Sequence, residues 1–385
     1  MNSAAQKPFI AIACGGTGGH LFPGVAVAEE LKKLGCDVAL LISPKEVDQQ
    51  AVKNLQGIET FTLPAVGLQD RNYFSFAKSF WNSFRASRKF FKQRKPAAVL
   101  AMGGFTSAPP VLAARKFGAK TFLHDSNTIP GKANRFLARF VDAAFIGFPE
   151  AETLLCTKKV MQTGTPVRPQ FSAAKNDVAR CRTALGLDPS LPTILIVGGS
   201  QGARGLNDLV IAALPLLKMK GWQFLHLAGQ ADFEKVLGAY AALEVKAVVK
   251  PFLAEMDLAL GAATACVSRS GASSLAEIAA MSLPSALVPL PTSADNHQRF
   301  NAQAYEKTGA AKLLEQRSTP ETVASVLTEL VENEGLRSQM QQKLAGWYSP
   351  RAALEIATWI LGEAVLKTSD SNAKSNCSCG HAHAH

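Results

Sequence analysis

Acidic residues are missing from one long stretch of this sequence: between Arg71 and His124 there are eleven Lys or Arg and no Asp or Glu. The formal net charge is +11, so this segment alone could account for the excess. A basic region of that size implies an anionic partner: nucleic acid, anionic lipid or a phosphorylated substrate. Long apolar runs are also lacking. Stretches such as Phe9–Cys14 are strand length, far short of the roughly 20 residues that span a bilayer. The N-terminus reaches its first strand almost at once, without an n-region, h-region or cleavage site, so no signal peptide is expected. Seven cysteines are present, but Cys14, Cys36, Cys156, Cys181 and Cys266 have no framework spacing. Most lie in or beside apolar runs, as reduced buried thiols do, which predicts a cytoplasmic chain. Neither Asp-x-Asp nor G-x-x-x-x-G-K-[ST] occurs, so a metal-bridged diphosphate and a P-loop are not indicated.

What is there suits two domains: 385 residues, 47% hydrophobic and 18% charged, the balance of a globular protein too long for one core. Apolar runs alternate with helix-period segments. FIAIAC (9–14), VALLIS (38–43), AAVLAM (97–102) and KTFLH (120–124) read as buried parallel strands. The pattern restarts with TILIV (193–197), FLHLA (224–228), KAVV (246–249), ACVS (265–268) and ALVPL (286–290). This predicts an α/β protein of two Rossmann-like, doubly wound parallel-sheet domains, 1–165 and 166–349. A hinge is expected near Gly164-Thr165-Pro166-Val167-Arg168-Pro169. A last helix, about 350–366, would pack back on the first domain, followed by a flexible tail, 367–385. That tail ends in alternating Cys377, Cys379, His381, His383 and His385, ligand types for zinc, nickel or copper. The simpler expectation is a solvated tail with no resident metal.

Three strands run into glycine loops: Gly15-Gly16-Thr17-Gly18-Gly19-His20, Gly103-Gly104-Phe105-Thr106-Ser107 and Gly198-Gly199-Ser200-Gln201-Gly202-Ala203. Strand–glycine loop–helix junctions expose backbone N–H groups at a positive helix end, which is what phosphate binding needs. Tight turns use glycine too, but three such loops in two similar halves outweigh that reading. A dinucleotide fingerprint fails, because Leu21 stands where its third glycine belongs and the next strand ends at Ser43 rather than an acidic residue. Further on, Arg269-Ser270-Gly271-Ala272-Ser273-Ser274-Leu275-Ala276-Glu277 offers N-caps, free amides for a diphosphate and, at Glu277, a carboxylate for a ribose diol. The run from Asp295 to Asn301 is dense in groups suited to sugar hydroxyls, with Asp295 otherwise a helix cap.

GGTGGH, MGGF, HDSN, GTPVRP, GGSQGAR, SRSGASSLAEIA and DNHQRFNA occur in an order that resembles the MurG family, from about residue 8 to 365. The resemblance implies a GT-B architecture, with two domains facing a cleft, donor on the C-terminal half and acceptor on the N-terminal half. It implies inverting transfer of N-acetylglucosamine (GlcNAc) from UDP-GlcNAc to the muramic C4 hydroxyl of an undecaprenyl-pyrophosphoryl-linked acceptor, with no cofactor. By the same resemblance, Thr17, Gly18 and Gly19 lie at the cleft, Asn127 faces the donor sugar and Arg168 the nucleotide. Ser200 holds a phosphate, the Leu253 backbone meets uracil, Ala272, Ser273, Ser274, Leu275, Ala276 and Glu277 bind diphosphate and ribose, and Gln298 takes sugar hydroxyls. Asn134, Asn207, Arg269 and His124 fall on further motif positions. The chain departs from the family pattern at Asp125, where glutamate is usual, and at Phe105, where tyrosine is often found.

The candidate base is His20, with Asp125 as its competitor. On a helical wheel Tyr73, Phe76, Phe80, Phe84 and Phe91 fall on one stripe and Lys78, Arg85, Lys89 and Lys92 on another, with Trp81 and Arg88 between. An aromatic stripe beside cations suits an anionic bilayer, here the cytoplasmic face of the plasma membrane; the other reading is a stripe in the protein's own core. No nucleic-acid module accompanies the charge. Rival readings are another GT-B glycolipid enzyme, a sugar-nucleotide epimerase, which needs no lipid acceptor, and a non-catalytic UDP-sugar-binding protein, which needs no His20. Cell-wall synthesis machinery is a possible partner class.

Overall fold

Strands that stay apolar at every position must be covered on both faces, and a parallel sheet clothed in helices meets that demand. The computed structural model describes residues 7–53, 55, 57–64, 73–174, 177–199, 202–217 and 220–375. The first sheet contains β1 (Phe9–Ala13), β2 (Asp37–Ile42), β3 (Glu59–Thr62), β4 (Ala98–Ala101), β5 (Lys120–Asp125), β6 (Ala143–Ile146) and β7 (Val160–Gln162). The second contains β8 (Thr193–Val197), β9 (Gln223–Leu227), β10 (Ala247–Lys250), β11 (Ala265–Ser268), β12 (Ser285–Leu287) and β13 (Lys312–Leu313). Their orders are β3-β2-β1-β4-β5-β6-β7 and β10-β9-β8-β11-β12-β13, and every pairing is parallel. In each sheet the winding reverses beside the first strand, between β1 and β4 and between β8 and β11. Such a reversal opens a crevice at the carboxyl ends of the strands, and the glycine loops follow those strands.

Alternation along β1 divides the first core. Ile10 and Ile12 face α1 (Gly18–Lys33), while Phe9, Ala11 and Ala13 face the layer built from α3 (Tyr73–Gln93) and α4 (Ala108–Arg115); α2 (Glu46–Val52) follows β2. The helix Ala352–Ser375 returns from the second unit, and its Ile356, Ala357, Ile360 and Ala364 join the α1 side of that core. Trp359 meets Phe122 and Phe145 edge-on at 5.7 and 5.9 Å. Helix continues past Leu366 to Ser375, where Lys367–Ser375 contains neither Gly nor Pro to break it. The Cys/His cluster lies outside the described residues.

The aromatic stripe on α3 is corrected in part. Phe84 and Phe91, 8% and 0% exposed, sit in the core between α3 and the first sheet. Buried Ser83 and Ser87 lie on the same inward side, small enough for α4 to approach closely. The helical period identified the stripe but not the side it would face. Phe74 and Trp81 are 84% and 56% exposed, beside exposed Lys78, Arg85, Arg88, Lys89 and Lys92, with Phe76 and Phe80 half-buried. The Tyr73 side chain lies outside the described residues. Among the described residues no helix is long and apolar enough to cross a membrane.

Ile360→Ala should cost about 2–5 kcal/mol, the usual range for emptying a packed aliphatic site. Urea unfolding checks this, and an unchanged midpoint would mean the last helix is not anchored in that core.

Candidate active site

The loop after β1 is held from three sides. A Cβ at Gly15 would lie 2.3 Å from Ser43 N, so β2 leaves room only for glycine there. Asp48 accepts from Gly16 N at 2.7 Å and from Ser43 N and Oγ at 3.2 and 2.5 Å. Lys45 Nζ donates to Gly16 O at 2.9 Å and Thr106 Oγ1 to Gly15 O at 2.6 Å. Phe105 packs on Gly16, with Lys45 Nζ 5.6 Å from its ring centre. Sequence reading missed Asp48, Lys45 and Thr106 as supports. Asp48 follows Ser43 by five residues, a short-range signal of a loop staple.

His20 lies in the first turn of α1, its Nδ1 3.1 Å from Thr17 Oγ1. Gly103 and Gly104, at φ +113° and +76°, form a shelf against the ring; a Cβ on Gly103 would stand 2.9 Å from His20 Cδ2 and Nε2. Any other residue would displace the imidazole. Burial lowers the His20 pKa, opposed by Asp125 and Asp48 and reinforced by His297 and Lys45, so the ring is neutral at neutral pH.

Asp125 closes β5 and its carboxylate is committed. Oδ1 accepts from Asn127 N at 2.9 Å and Asn127 Nδ2 at 3.2 Å; Oδ2 accepts from Gly131 N and Asn134 Nδ2, each at 2.9 Å. This carboxylate shapes the turn into α5 (Lys132–Leu137). Buried His124 uses Nε2 on Gly164 O at 3.0 Å, tying β5 to the segment that leaves the first unit, and burial lowers its pKa.

Across the cleft, the helix Ala272–Met281 points its N-terminus at α1, and Ser273 Oγ donates to Gly19 O at 2.7 Å. Ala272, Leu275 and Ala276 are buried, while Ser273, Ser274 and Glu277 are partly open. Arg168 lies with its guanidinium 4.3 Å from the Phe22 ring centre and 4.0 Å from Glu277 Oε1. Burial pushes the Glu277 carboxyl from 4.5 up to about 7, against the pull of Arg168. Gln298 accepts from Leu290 N at 3.0 Å through Oε1, and its carbonyl accepts from Ser270 Oγ at 2.7 Å.

Three motif positions support loops from within. Asn207 is fully buried, bonded to Ala228 O, Asp232 and His226. Arg269 donates to Val288 O, Pro289 O and Gln316. The Leu253 side chain is in the second core, beside exposed Phe252. Ser200 lies outside the described residues. Two interdomain contacts were missed. Asn301 bonds to Thr128, Asn127 and Ser270. Asp295 makes no side-chain cap to the helix after it and instead pairs with Arg135 and Lys132 of α5. Nothing local in the sequence marks a partner about 170 positions away.

Two Rossmann-like units with loop-lined crevices facing each other define a glycosyltransferase fold. Residues 10–146 match the glycosyltransferase family 28 N-terminal domain and residues 193–353 its C-terminal domain. A UDP-N-acetylglucosamine--N-acetylmuramyl-(pentapeptide) pyrophosphoryl-undecaprenol N-acetylglucosamine transferase from Listeria welshimeri is 33% identical over 362 residues, 92% of this chain and 99% of the relative. One of the same name from Citrifermentans bemidjiense is 35% identical over 348 residues, 86% of this chain and 93% of the relative. The crystal structure of Acinetobacter baumannii MurG superposes with a TM-score of 0.72 at 28% identity, covering 92% of this chain and 99% of that one. The chain belongs to glycosyltransferase family 28 and, within it, to the family of these N-acetylglucosamine transferases. The calicheamicin glycosyltransferase CalG4, at 14% identity and a TM-score of 0.64 over 93% of this chain and 99% of that one, shares the fold.

A raised carboxyl pKa contributes stability that is complete below the unfolded value of 4.5 and lost as pH climbs through the folded value of about 7. At about 1.4 kcal/mol per pH unit, that swing is about 3 kcal/mol. Glu277→Gln stays neutral, so its stability relative to the parent should rise between pH 4.5 and 8 in urea unfolding. A relative loss at pH 8 would show that the ionised form is the one the fold favours.

Proposed function

We propose that this chain transfers GlcNAc from UDP-GlcNAc to the C4 hydroxyl of the muramic sugar in undecaprenyl-pyrophosphoryl-MurNAc-pentapeptide, giving a β-1,4 link and free UDP. The observation that carries this reading is the placement of His20. A neutral imidazole, caged by glycines 103 and 104, directly follows Gly19, whose carbonyl accepts from Ser273 at the N-terminus of the helix Ala272–Met281 across the cleft. In a single displacement, His20 takes the proton of the acceptor hydroxyl as its oxygen attacks C1. The bond from C1 to the diphosphate oxygen breaks, the configuration at C1 inverts, and UDP leaves with the electron pair. The amides of Gly271–Ser274 and the helix dipole meet the charge that develops on the leaving diphosphate. Asp125, with its lone pairs occupied, positions Asn127 and Asn134 and is not the base. Arg168 and Glu277 take the nucleotide, Glu277 through the ribose diol, and Gln298 takes the sugar hydroxyls.

A polyprenyl-linked acceptor requires a membrane surface, and α3 suits one. Between α3 and α4 lies an apolar groove of about 460 Å³ lined by Phe80, Trp81, Phe84, Leu112, Arg115 and Lys116. Exposed Phe74 and Trp81 beside five exposed cations support peripheral docking on anionic lipid at the cytoplasmic face of the plasma membrane.

His20→Ala should reduce turnover about 10²–10⁴-fold, the usual worth of a positioned base, with UDP affinity by calorimetry unchanged. The acid limb of kcat/KM in the parent should lie below pH 6.5, because burial lowers the His20 pKa from that value. Turnover at the parental level removes His20 from the mechanism. In vesicle co-sedimentation, the parent should pellet with anionic liposomes, and a variant with Lys78, Arg85, Lys89 and Lys92 changed to Gln should stay in the supernatant. Equal pelleting of the two would refute the docking face.

A further inference from the structure

Asn301 is fully buried on the helix His297–Lys307, one turn after Gln298, and all of its side-chain bonding capacity is used. Its Oδ1 accepts from Thr128 N at 3.0 Å and Thr128 Oγ1 at 2.9 Å. Its Nδ2 donates to Asn127 Oδ1 and to Ser270 O, each at 3.1 Å. Three of these four bonds cross between the two sheet units. The contacts also continue on either side. Asn127 donates to Asp125, Asp125 receives Asn134, and Asn134 lies against Gly103, the shelf under His20. On the other side, Ser270 opens the turn into the helix Ala272–Met281 and holds the Gln298 carbonyl. One amide thus stands between the cage of the base and the loop facing it.

We infer that Asn301 is a positioning residue for glycosyl transfer, setting the register of the two units so that His20 and the Ser270–Ser274 turn face one reacting centre. This rests on the proposed roles of those two elements. The position demands an amide. One atom must accept two hydrogen bonds while the other donates two, and no other side chain of that size does both. A carboxylate there would set a lone pair against Asn127 Oδ1 and Ser270 O, with no proton for either. Nearly the same volume would then carry the wrong bonds, which separates bonding from packing.

The test is steady-state kinetics and calorimetry on the full chain, with UDP-GlcNAc and a short-chain lipid-linked acceptor as substrates and UDP as the binding probe. Asn301→Asp should lower kcat about 100-fold, the effect expected when reacting groups are displaced by about 1 Å, and leave the UDP dissociation constant within about twofold. Thr128→Val, which deletes one donor without touching the nucleotide side, should lower kcat several-fold, and Thr128→Ser should restore it. Because both changes break one linkage, the double variant should be no slower than Asn301→Asp alone. Parental kcat in Asn301→Asp overturns the inference. So does a parallel loss of UDP affinity, multiplicative slowing in the double variant, or a fall in melting temperature with kcat retained. If Asn301→Asp does not fold, Thr128→Val with parental kcat overturns it equally. A parent that binds no UDP and transfers no GlcNAc would instead refute the proposed function.

Discussion

Parallel strands end with their carboxyl edges pointing the same way, and where the winding reverses, neighbouring loops turn apart and leave backbone amides uncovered. Everything chemical in this molecule sits on that constraint, used twice. The first reversal, between β1 and β4, receives His20 and the two glycines beneath it. The second, between β8 and β11, receives the turn into the helix Ala272–Met281. Neither crevice is a site alone. In the proposed reaction one holds the proton acceptor with no electrophile, and the other offers amides with no nucleophile.

Joining two half-sites sets a requirement that stability does not. The cleft must admit and release large substrates, so the contacts across it have to be specific in direction but modest in strength. The structure meets this with hydrogen bonds and one exposed ion-pair cluster: Ser273 to Gly19, Asn301 to Thr128 and Asn127, and Asp295 to Arg135 and Lys132. Exposed ion pairs are worth at most about 1 kcal/mol, too little to hold two domains shut, while a fully bonded buried amide fixes angle and register. Within each half the opposite holds. Asp48 staples the first loop through three bonds, and Asp125 uses four. Two carboxylates near the imidazole are thereby spent on shape, which in the proposed reaction leaves the caged histidine to accept the proton.

Much of this was legible in the sequence because burial on both faces writes itself as an unbroken apolar run. FIAIAC, VALLIS, TILIV and ACVS gave their strands directly, and the glycine loops followed from what ends them. Strands that lie at or near the sheet edges left no such mark. Glu59–Thr62 is mostly polar and exposed, and Val160–Gln162 and Lys312–Leu313 are too short to show a period. Periodicity found the aromatic stripe of α3 but carries no information about which layer will cover it, so Phe84 and Phe91 went inward while Trp81 stayed out. The supports of the site were the least legible. Asp48 reaches back to Gly16, and Asn301 and Asp295 bond to residues of the first unit far away in the chain, and one polar residue among others of its kind gives no sign that it has been chosen.

On the proposed reading, the distribution of charge lets one chain deal with two kinds of anion without confusing them. Five cations, Lys78, Arg85, Arg88, Lys89 and Lys92, lie on α3, which covers the opposite face of the first sheet from α1 and its histidine. Those side chains are long, exposed and screened within about 8 Å at physiological salt, suited to a diffuse surface that need only be held nearby. The proposed diphosphate site uses almost no free cation. It relies on amides and a helix dipole, with Arg168 shared between the Phe22 ring and Glu277. Fixed dipoles do not reorganise when charge moves from C1 to the leaving oxygen, and they do not attract every anionic headgroup the first surface meets. On the proposed reading, placing mobile charge outside and fixed dipoles inside would let the protein dock on a membrane without filling its own cleft with lipid phosphate.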